Sequence, residues 1–137
     1  NIKSVKLLAD VRGKVAVLAD DMLGTGGTLL KAMQFLQEQG ATKVIAAISL
    51  PFFTGNAIEL FDEAYKNGQF YRIIGTNAVH QPELKEKEWF ISTNVSGLFA
   101  NVITRIHHNQ SLSDLLDNRT IIDKLIKKSD DTEETQA

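Results

Sequence analysis

Two adjacent carboxylates and a glycine-rich, hydroxyl-bearing segment lie close together in the sequence VLADDMLGTGGT, residues 17–28. Glycines let a ligand approach the backbone closely, and threonine hydroxyls add hydrogen-bond donors beside the backbone amides. Such a segment can surround a phosphate without a lysine. The Gly-Lys-Ser/Thr ending of a nucleotide-triphosphate P-loop is absent. The candidate binding residues are Asp20, Asp21, Gly24, Thr25, Gly26, Gly27 and Thr28.

The two aspartates give this segment a second kind of chemistry. Carboxylates accept charge-assisted hydrogen bonds from the paired hydroxyls of a sugar. A phosphate site beside acceptors for a diol indicates a pentose phosphate as ligand. The alternative is an ordinary glycine-rich turn, in which Thr28 is a helix N-cap and the aspartates only favour the helix dipole.

The elements around this segment indicate an α/β fold. Residues 14–19 (KVAVLA) and 43–48 (KVIAAI) are apolar runs typical of strands buried on both faces. Between them, Leu29, Met33 and Leu36 recur at helical spacing, and Gly40 closes the helix. Because strands joined through a helix run parallel, we expect an open, mostly parallel sheet flanked by helices. The turn at residues 20–27 then lies at the carboxyl end of a strand, where such sheets bind ligands.

Further elements follow along the chain. Asn56 and Glu59 have capping-box spacing before a helix that ends at Asn67-Gly68, and residues 69–75 predict a third strand. Residues 76–87 form a loop, residues 88–92 a fourth strand, and Leu98, Val102 and Ile106 a further helix. Shorter helices are expected at 112–116 and 121–126. One domain over residues 1–128 and a polar, mobile tail over 129–137 complete the predicted organisation.

Composition excludes several classes of function. The 137 residues carry a formal net charge of -2 and no cysteine. This charge gives no general attraction to nucleic acid, and disulfides and thiolate metal sites are excluded. No apolar run approaches the ~20 residues that span a bilayer, and no signal sequence is evident, so we expect a cytoplasmic protein that does not interact with membranes.

Aromatic residues offer an alternative binding surface. No basic residues interleave Phe52, Phe53, Trp89, Phe90 and Phe99, which favours core packing over a stacking platform for bases. The alternative role for the pair Phe52-Phe53 is a contact with another subunit.

An apolar strand, an acidic pair, two variable residues and Thr-Gly-Gly-Thr together resemble the signature of the type I phosphoribosyltransferase fold. Within that superfamily, the chain is similar to the ribose-phosphate diphosphokinases. Further resemblances are PFFTGNA at 51–57, Arg105-Ile106-His107 and Ser111-Leu112-Ser113. The likeness runs from about residue 10 to residue 116, and the sugar-phosphate motif is its most specific part.

The resemblance implies that Asp20 and Asp21 hold the ribose hydroxyls of ribose 5-phosphate or phosphoribosyl pyrophosphate, and that residues 24–28 bind its 5-phosphate. The family transfers diphosphate from ATP to ribose 5-phosphate with magnesium, as homo-oligomers that supply nucleotide biosynthesis. It also implies that ATP binds to a half of the protein that precedes this segment. We therefore expect no catalytic residue in this chain, no activity of the chain alone, and a fold incomplete on its N-terminal side.

Three positions depart from the family's pattern. Gly24 stands where these synthetases usually carry a third acidic residue, Ala19 replaces a β-branched residue, and Leu50 stands where a histidine is common. These departures keep open a catalytically silent, regulatory relative of the synthetase. A nucleobase phosphoribosyltransferase is a further alternative, because it uses the same loop, although no base-binding hood is recognisable.

Overall fold

The computed structural model describes residues 7, 9–117, 119, 122, 123 and 126, in two units, Asn1–Val95 and Ser96–Ala137. The predicted tail at 129–137 and most of the predicted helix at 121–126 lie outside the described residues. The division into a domain over 1–128 and a tail stays a prediction.

The first unit is built on a four-stranded parallel sheet with strands in sequential order. The strands are β1 (Val15–Leu23), β2 (Lys43–Pro51), β3 (Arg72–Thr76) and β4 (Phe90–Thr93); the helices are α1 (Gly27–Glu38) and α2 (Ala57–Lys66); and a 3₁₀ turn covers Pro82–Glu86. The second unit contains α3 (Ser96–His107) and α4 (Ser113–Leu116). The predicted α/β class with an open parallel sheet is confirmed.

The first two strands are longer than the sequence predicted. Residues 20–23, expected in a turn, continue β1 because they keep the parallel register with β2, with Asp20 opposite Ile48 and Leu23 opposite Pro51. Leu23 is only 2% exposed, so the end of β1 is anchored in the core. The turn prediction for Asp20 and Asp21 is therefore wrong: both aspartates stand on a strand and gain the rigidity of its hydrogen bonds.

The core lies on one face of the sheet. Along β2, Val44, Ala46 and Ile48 are buried and alternate with half-buried residues, which is the period of a strand. Met33 and Leu36 of α1 are buried in the same core cluster. This packing fixes α1 and therefore the position of its first turn.

Five aromatic rings form the centre of the core, with neighbouring ring centroids 5.3–6.1 Å apart. The rings belong to Phe53, Phe61, Phe70, Trp89 and Phe90. The predicted core role is confirmed for Phe53 and Trp89 and wrong for Phe52, which is 38% exposed, and for Phe99, which is 54% exposed. Phe52 is exposed, whereas its neighbours Pro51 and Phe53 are buried.

The capping box predicted for α2 does not form. Asn56 is the N-cap, but its side chain makes no capping hydrogen bond. Its backbone, with φ -95° and ψ 26°, lies outside the extended conformation from which an N-cap side chain reaches back to the helix amides. The predicted end of this helix at Asn67-Gly68 is confirmed.

Asp62 of α2 ties the helix to the segment before β4. It accepts hydrogen bonds from Lys87 Nζ at 2.6 Å and from Trp89 Nε1 at 2.7 Å. Burial by itself would raise the pKa of Asp62, but the bonds from Lys87 and Trp89 outweigh burial and hold this pKa below its ordinary value. The ionised form of Asp62 therefore stabilises the fold.

Replacing Asp62 with asparagine is expected to lower the melting temperature modestly at neutral pH. The pKa of Asp62 is lowered in the folded protein, so its contribution to stability is full above the pKa of an unfolded aspartate, about 3.9, and is lost as the pH falls through the lower folded value. The melting curves of the two proteins should converge in acid.

Fluorescence of Trp89, the single tryptophan, can follow thermal unfolding from pH 7 to about pH 2. The exposed Glu63 on the same helix provides the control Glu63→Gln. A constant difference in melting temperature between wild type and Asp62→Asn over the whole pH range would contradict this account.

Candidate functional site

The candidate binding residues lie where β1 passes into α1. Asp20 and Asp21 stand on the last part of β1, and α1 begins at Gly27. Residues 24–26 form the short connection, which we call the phosphate loop. All seven predicted residues are thus brought together at the carboxyl end of β1, the edge at which open α/β sheets bind ligands.

The two aspartates present carboxylates to solvent at this edge. Both side chains are exposed. Asp20 Oδ1 accepts a hydrogen bond from the backbone amide of Asp21 at 2.9 Å, which orients the Asp20 carboxylate. Each carboxylate has about four acceptor sites, so both can still accept hydrogen bonds from ligand hydroxyls.

The first turn of α1 has the features of an anion site. Its N-cap is Gly26, which has no side chain to cap the helix, and the first turn contains no acidic residue. The Leu30 amide donates to the Gly26 carbonyl at 2.9 Å, which leaves the preceding amides of the turn outside the helical ladder. The alternative with Thr28 as N-cap is wrong, because Thr28 is the second residue of the helix. Amides and helix dipole together favour an anion here.

Gly26 is required by both its backbone conformation and its surroundings. Its φ is 74°, in the left-handed region that favours glycine. A Cβ added to Gly26 would lie 2.2 Å from Phe61 Cε2 and 2.8 Å from Phe61 Cζ. The ring of Phe61 therefore lies directly against the backbone of the phosphate loop.

The segment after β2 also contacts the loop, through backbone atoms that sequence reasoning did not identify as part of the site. The Phe53 amide donates to the Leu23 carbonyl at 3.0 Å, and the Thr54 amide donates to the Gly24 carbonyl at 3.1 Å. These residues belong to the stretch PFFTGNA, which the sequence singled out only as a family resemblance. Backbone pairing leaves no pattern of side-chain types, so the family resemblance of that stretch was the only signal in the sequence.

The described residues hold neither a cluster of metal ligands nor a membrane-spanning helix. Within residues 9–117 and the few described beyond them, no three or more histidine, cysteine, aspartate or glutamate side chains are grouped as metal ligands. The same part of the chain contains no helix with the length and apolar character needed to cross a membrane.

Comparison with known proteins gives a consistent set of relatives. Residues 2–117 match the family described as phosphoribosyl synthetase-associated domain. The chain is 37% identical over 116 residues to a ribose-phosphate pyrophosphokinase of Wolinella succinogenes, covering 84% of this chain and 36% of that protein. It is 34% identical over 109 residues to the Bacillus subtilis ribose-phosphate pyrophosphokinase, covering 80% of this chain and 33% of that protein.

A solved structure agrees with these sequence relatives. The phosphoribosylpyrophosphate synthetase of Mycobacterium smegmatis superposes with a TM-score of 0.67 and 31% sequence identity, over 74% of this chain and 33% of that one. The chain thus spans about a third of the length of the relatives it matches.

Proposed function

The chain belongs to the phosphoribosyl synthetase-associated domain family, and from this premise we propose that it is the ribose 5-phosphate-binding part of a ribose-phosphate diphosphokinase. The whole enzyme would transfer the diphosphoryl group of ATP to the anomeric hydroxyl of ribose 5-phosphate, which loses its proton, and release phosphoribosyl pyrophosphate and AMP. Parts of the enzyme outside this chain would bind ATP and supply the catalytic residues. A homo-oligomeric assembly and a cytoplasmic location stay predictions.

In this proposal, the phosphate loop and the first turn of α1 bind the 5-phosphate, and Asp20 and Asp21 accept hydrogen bonds from the ribose hydroxyls. The observation that carries the proposal is the uncapped N-terminus of α1 directly beyond two exposed aspartates. Backbone amides and the helix dipole favour the phosphate, while carboxylates favour neutral hydroxyl donors over a second anion. The arrangement therefore selects a phosphorylated sugar over a diphosphate.

Magnesium fits this site as an ion shared with the substrate. Mg²⁺ is usually bound by one or two carboxylates together with substrate phosphates and water, and Asp20 and Asp21 are exposed carboxylates of that kind. When bound, the ion would offset negative charge on the phosphoryl oxygens during transfer. The part played by this chain is to hold the sugar phosphate in a fixed orientation.

Nuclear magnetic resonance of the labelled chain tests the proposal. Ribose 5-phosphate should shift the amide signals of residues 24–29 most strongly, with smaller shifts at Asp20 and Asp21. Inorganic phosphate should affect residues 24–29 but not the aspartates. Signal shifts confined to another surface of the chain would contradict the assignment of the sugar-phosphate site to these residues.

Replacing Thr28 with valine is expected to weaken ribose 5-phosphate binding about tenfold. Valine keeps the shape of threonine, but the hydroxyl donor to the charged phosphate is lost, and a hydrogen bond to a charged group contributes about 1.5–3 kcal/mol. The control is Thr42→Val, since Thr42 precedes β2 at the opposite end of the sheet and donates its hydroxyl to the Lys14 carbonyl. Calorimetry on both variants measures the difference, and equal affinities would argue against a role for the Thr28 hydroxyl.

The alternative of a catalytically silent relative of the synthetase rests on Gly24, Ala19 and Leu50, of which only Gly24 lies in the phosphate loop, where the family usually has an acidic residue. A Cβ at Gly24 would meet only Thr54 Oγ1, at an ordinary contact distance of 3.5 Å, so Gly24→Asp is sterically permitted. Turnover by the full-length protein separates an enzyme from a silent relative, because both would bind ribose 5-phosphate. Absence of turnover in the wild type, with activity gained in Gly24→Asp, would identify the silent form.

A further inference from the structure

Phe53 has an unusual backbone conformation for a buried aromatic residue. Its φ is 46°, in the left-handed region that residues other than glycine, asparagine and aspartate rarely adopt, yet the residue is only 5% exposed. Such strain persists only where the surrounding structure imposes it, and it is concentrated at functional sites.

This conformation allows Phe53 to make two contacts in different directions. Its amide donates to the Leu23 carbonyl, where β1 enters the phosphate loop, and the next amide, of Thr54, donates to the Gly24 carbonyl. Its ring points into the core and meets the ring of Phe61 edge to face, with centroids 5.3 Å apart.

Phe61 holds the other end of the phosphate loop. Its ring lies against Gly26, within the space that a Cβ on Gly26 would need. The loop is therefore fixed at Leu23 and Gly24 by backbone hydrogen bonds and at Gly26 by an aromatic ring. Phe53 joins these two supports, because its amide bonds to the Leu23 carbonyl and its ring packs against the ring of Phe61. The Gln81 side-chain amide also donates to the Phe52 carbonyl and so stabilises the segment that contains Phe53.

We propose that Phe53 is a positioning residue of the sugar-phosphate site: its left-handed backbone and its buried ring hold the phosphate loop in the conformation that receives the phosphate. This inference rests on the proposed function, because it assigns Phe53 to the same site. A loop already held in its bound conformation avoids the entropy cost of being ordered on binding, so a loosened loop should weaken binding even in a folded protein.

The test compares Phe53→Leu with Phe70→Leu in the full chain. Phe70 is a matched control, since it is also 5% exposed and its ring also packs against Phe61 and Trp89, but its segment does not make the backbone hydrogen bonds to Leu23 and Gly24 that Phe53 and Thr54 make. Both variants should lose a similar amount of thermal stability. Phe53→Leu should raise the dissociation constant for ribose 5-phosphate about tenfold, and Phe70→Leu by no more than about twofold.

A second measurement, amide hydrogen exchange of residues 24–29, does not depend on the ligand. Exchange should be faster in Phe53→Leu than in Phe70→Leu. Equal losses of affinity in the two variants, or unchanged affinity in Phe53→Leu, would overturn the inference. If the wild type binds no ribose 5-phosphate, the proposed function fails, and exchange alone decides: faster exchange in Phe53→Leu supports the positioning role, and equal exchange overturns it.

One further variant keeps the inference testable if Phe53→Leu does not fold. Gln81→Ala removes the donor to the Phe52 carbonyl and leaves the aromatic core intact. It should weaken ribose 5-phosphate binding about threefold, in line with the loss of one neutral hydrogen bond. Wild-type affinity and wild-type exchange in Gln81→Ala would count against the inference.

Discussion

Replacing Gly26 with alanine is expected to lower the free energy of unfolding by about 2–5 kcal/mol and to abolish measurable sugar-phosphate binding. A left-handed backbone costs a residue with a Cβ about 1–2 kcal/mol, and overpacking a well-filled core costs about 1–3 kcal/mol more. Both terms apply because φ is 74° and the new Cβ would lie 2.2 Å from Phe61. To relieve the clash, the loop must move away from Phe61, and its amides move with it. Urea denaturation followed by Trp89 fluorescence measures the change in stability.

Gly27→Ala is the matched control for this prediction. Gly27 has space for a Cβ, is the first residue of α1, and does not have a positive φ. Alanine is the better helix former by about 1 kcal/mol in a helix interior, so Gly27→Ala should fold at least as well as the wild type. Gly26→Ala with wild-type stability and affinity would show that the contact with Phe61 does not fix the loop.

The double variant Asp20→Asn/Asp21→Asn is expected to weaken ribose 5-phosphate binding about 100-fold or more. Each carboxylate would lose a charge-assisted hydrogen bond to a ribose hydroxyl, and such bonds contribute about 1.5–3 kcal/mol each. Inorganic phosphate should bind the variant as well as or better than the wild type, because two negative charges near the phosphate are removed. The informative quantity is therefore the ratio of the affinity for ribose 5-phosphate to the affinity for inorganic phosphate, measured by calorimetry.

A charge-matched control is Glu38→Gln/Glu63→Gln. Both residues are exposed on helices, so the net charge changes equally without affecting the strand end. Ribose 5-phosphate affinity should stay near that of the wild type. If the control loses as much affinity as the aspartate variant, the effect comes from net charge, and the aspartates do not bind the ribose.

The sequence predicted those parts of the fold that a local pattern of apolar residues decides. The buried strands at 43–48 and 14–19 follow from continuous apolar runs, and α1 follows from its apolar face and Gly40. The end of β1 was missed because polar aspartates argue for a turn, while the extended strand is decided by pairing with β2. Because this pairing joins residues far apart in the sequence, a local pattern of residue types does not reveal it.

The position of the candidate site was predicted to a similar extent. Its side chains and glycines have recognisable types and spacing, so all seven candidate residues were proposed from the sequence, and they lie together where β1 passes into α1. Their role in binding stays a prediction. Phe53 was assigned to the core or, together with Phe52, to a subunit contact, because aromatic residues are ordinarily explained by burial, and nothing in a sequence shows that a phenylalanine has a positive φ. The absence of a capping bond at Asn56 could not be predicted for the same reason, since capping depends on a backbone angle that the preceding loop sets.

Calorimetric titration of the chain with ribose 5-phosphate, with and without magnesium, shows whether this chain binds a sugar phosphate. Saturable binding by the wild type, lost in a folded Asp20→Ala/Asp21→Ala double variant, is the predicted result. A wild-type chain that is folded by its Trp89 fluorescence yet binds no ribose 5-phosphate, or a double variant that binds it as well as the wild type, would contradict the account.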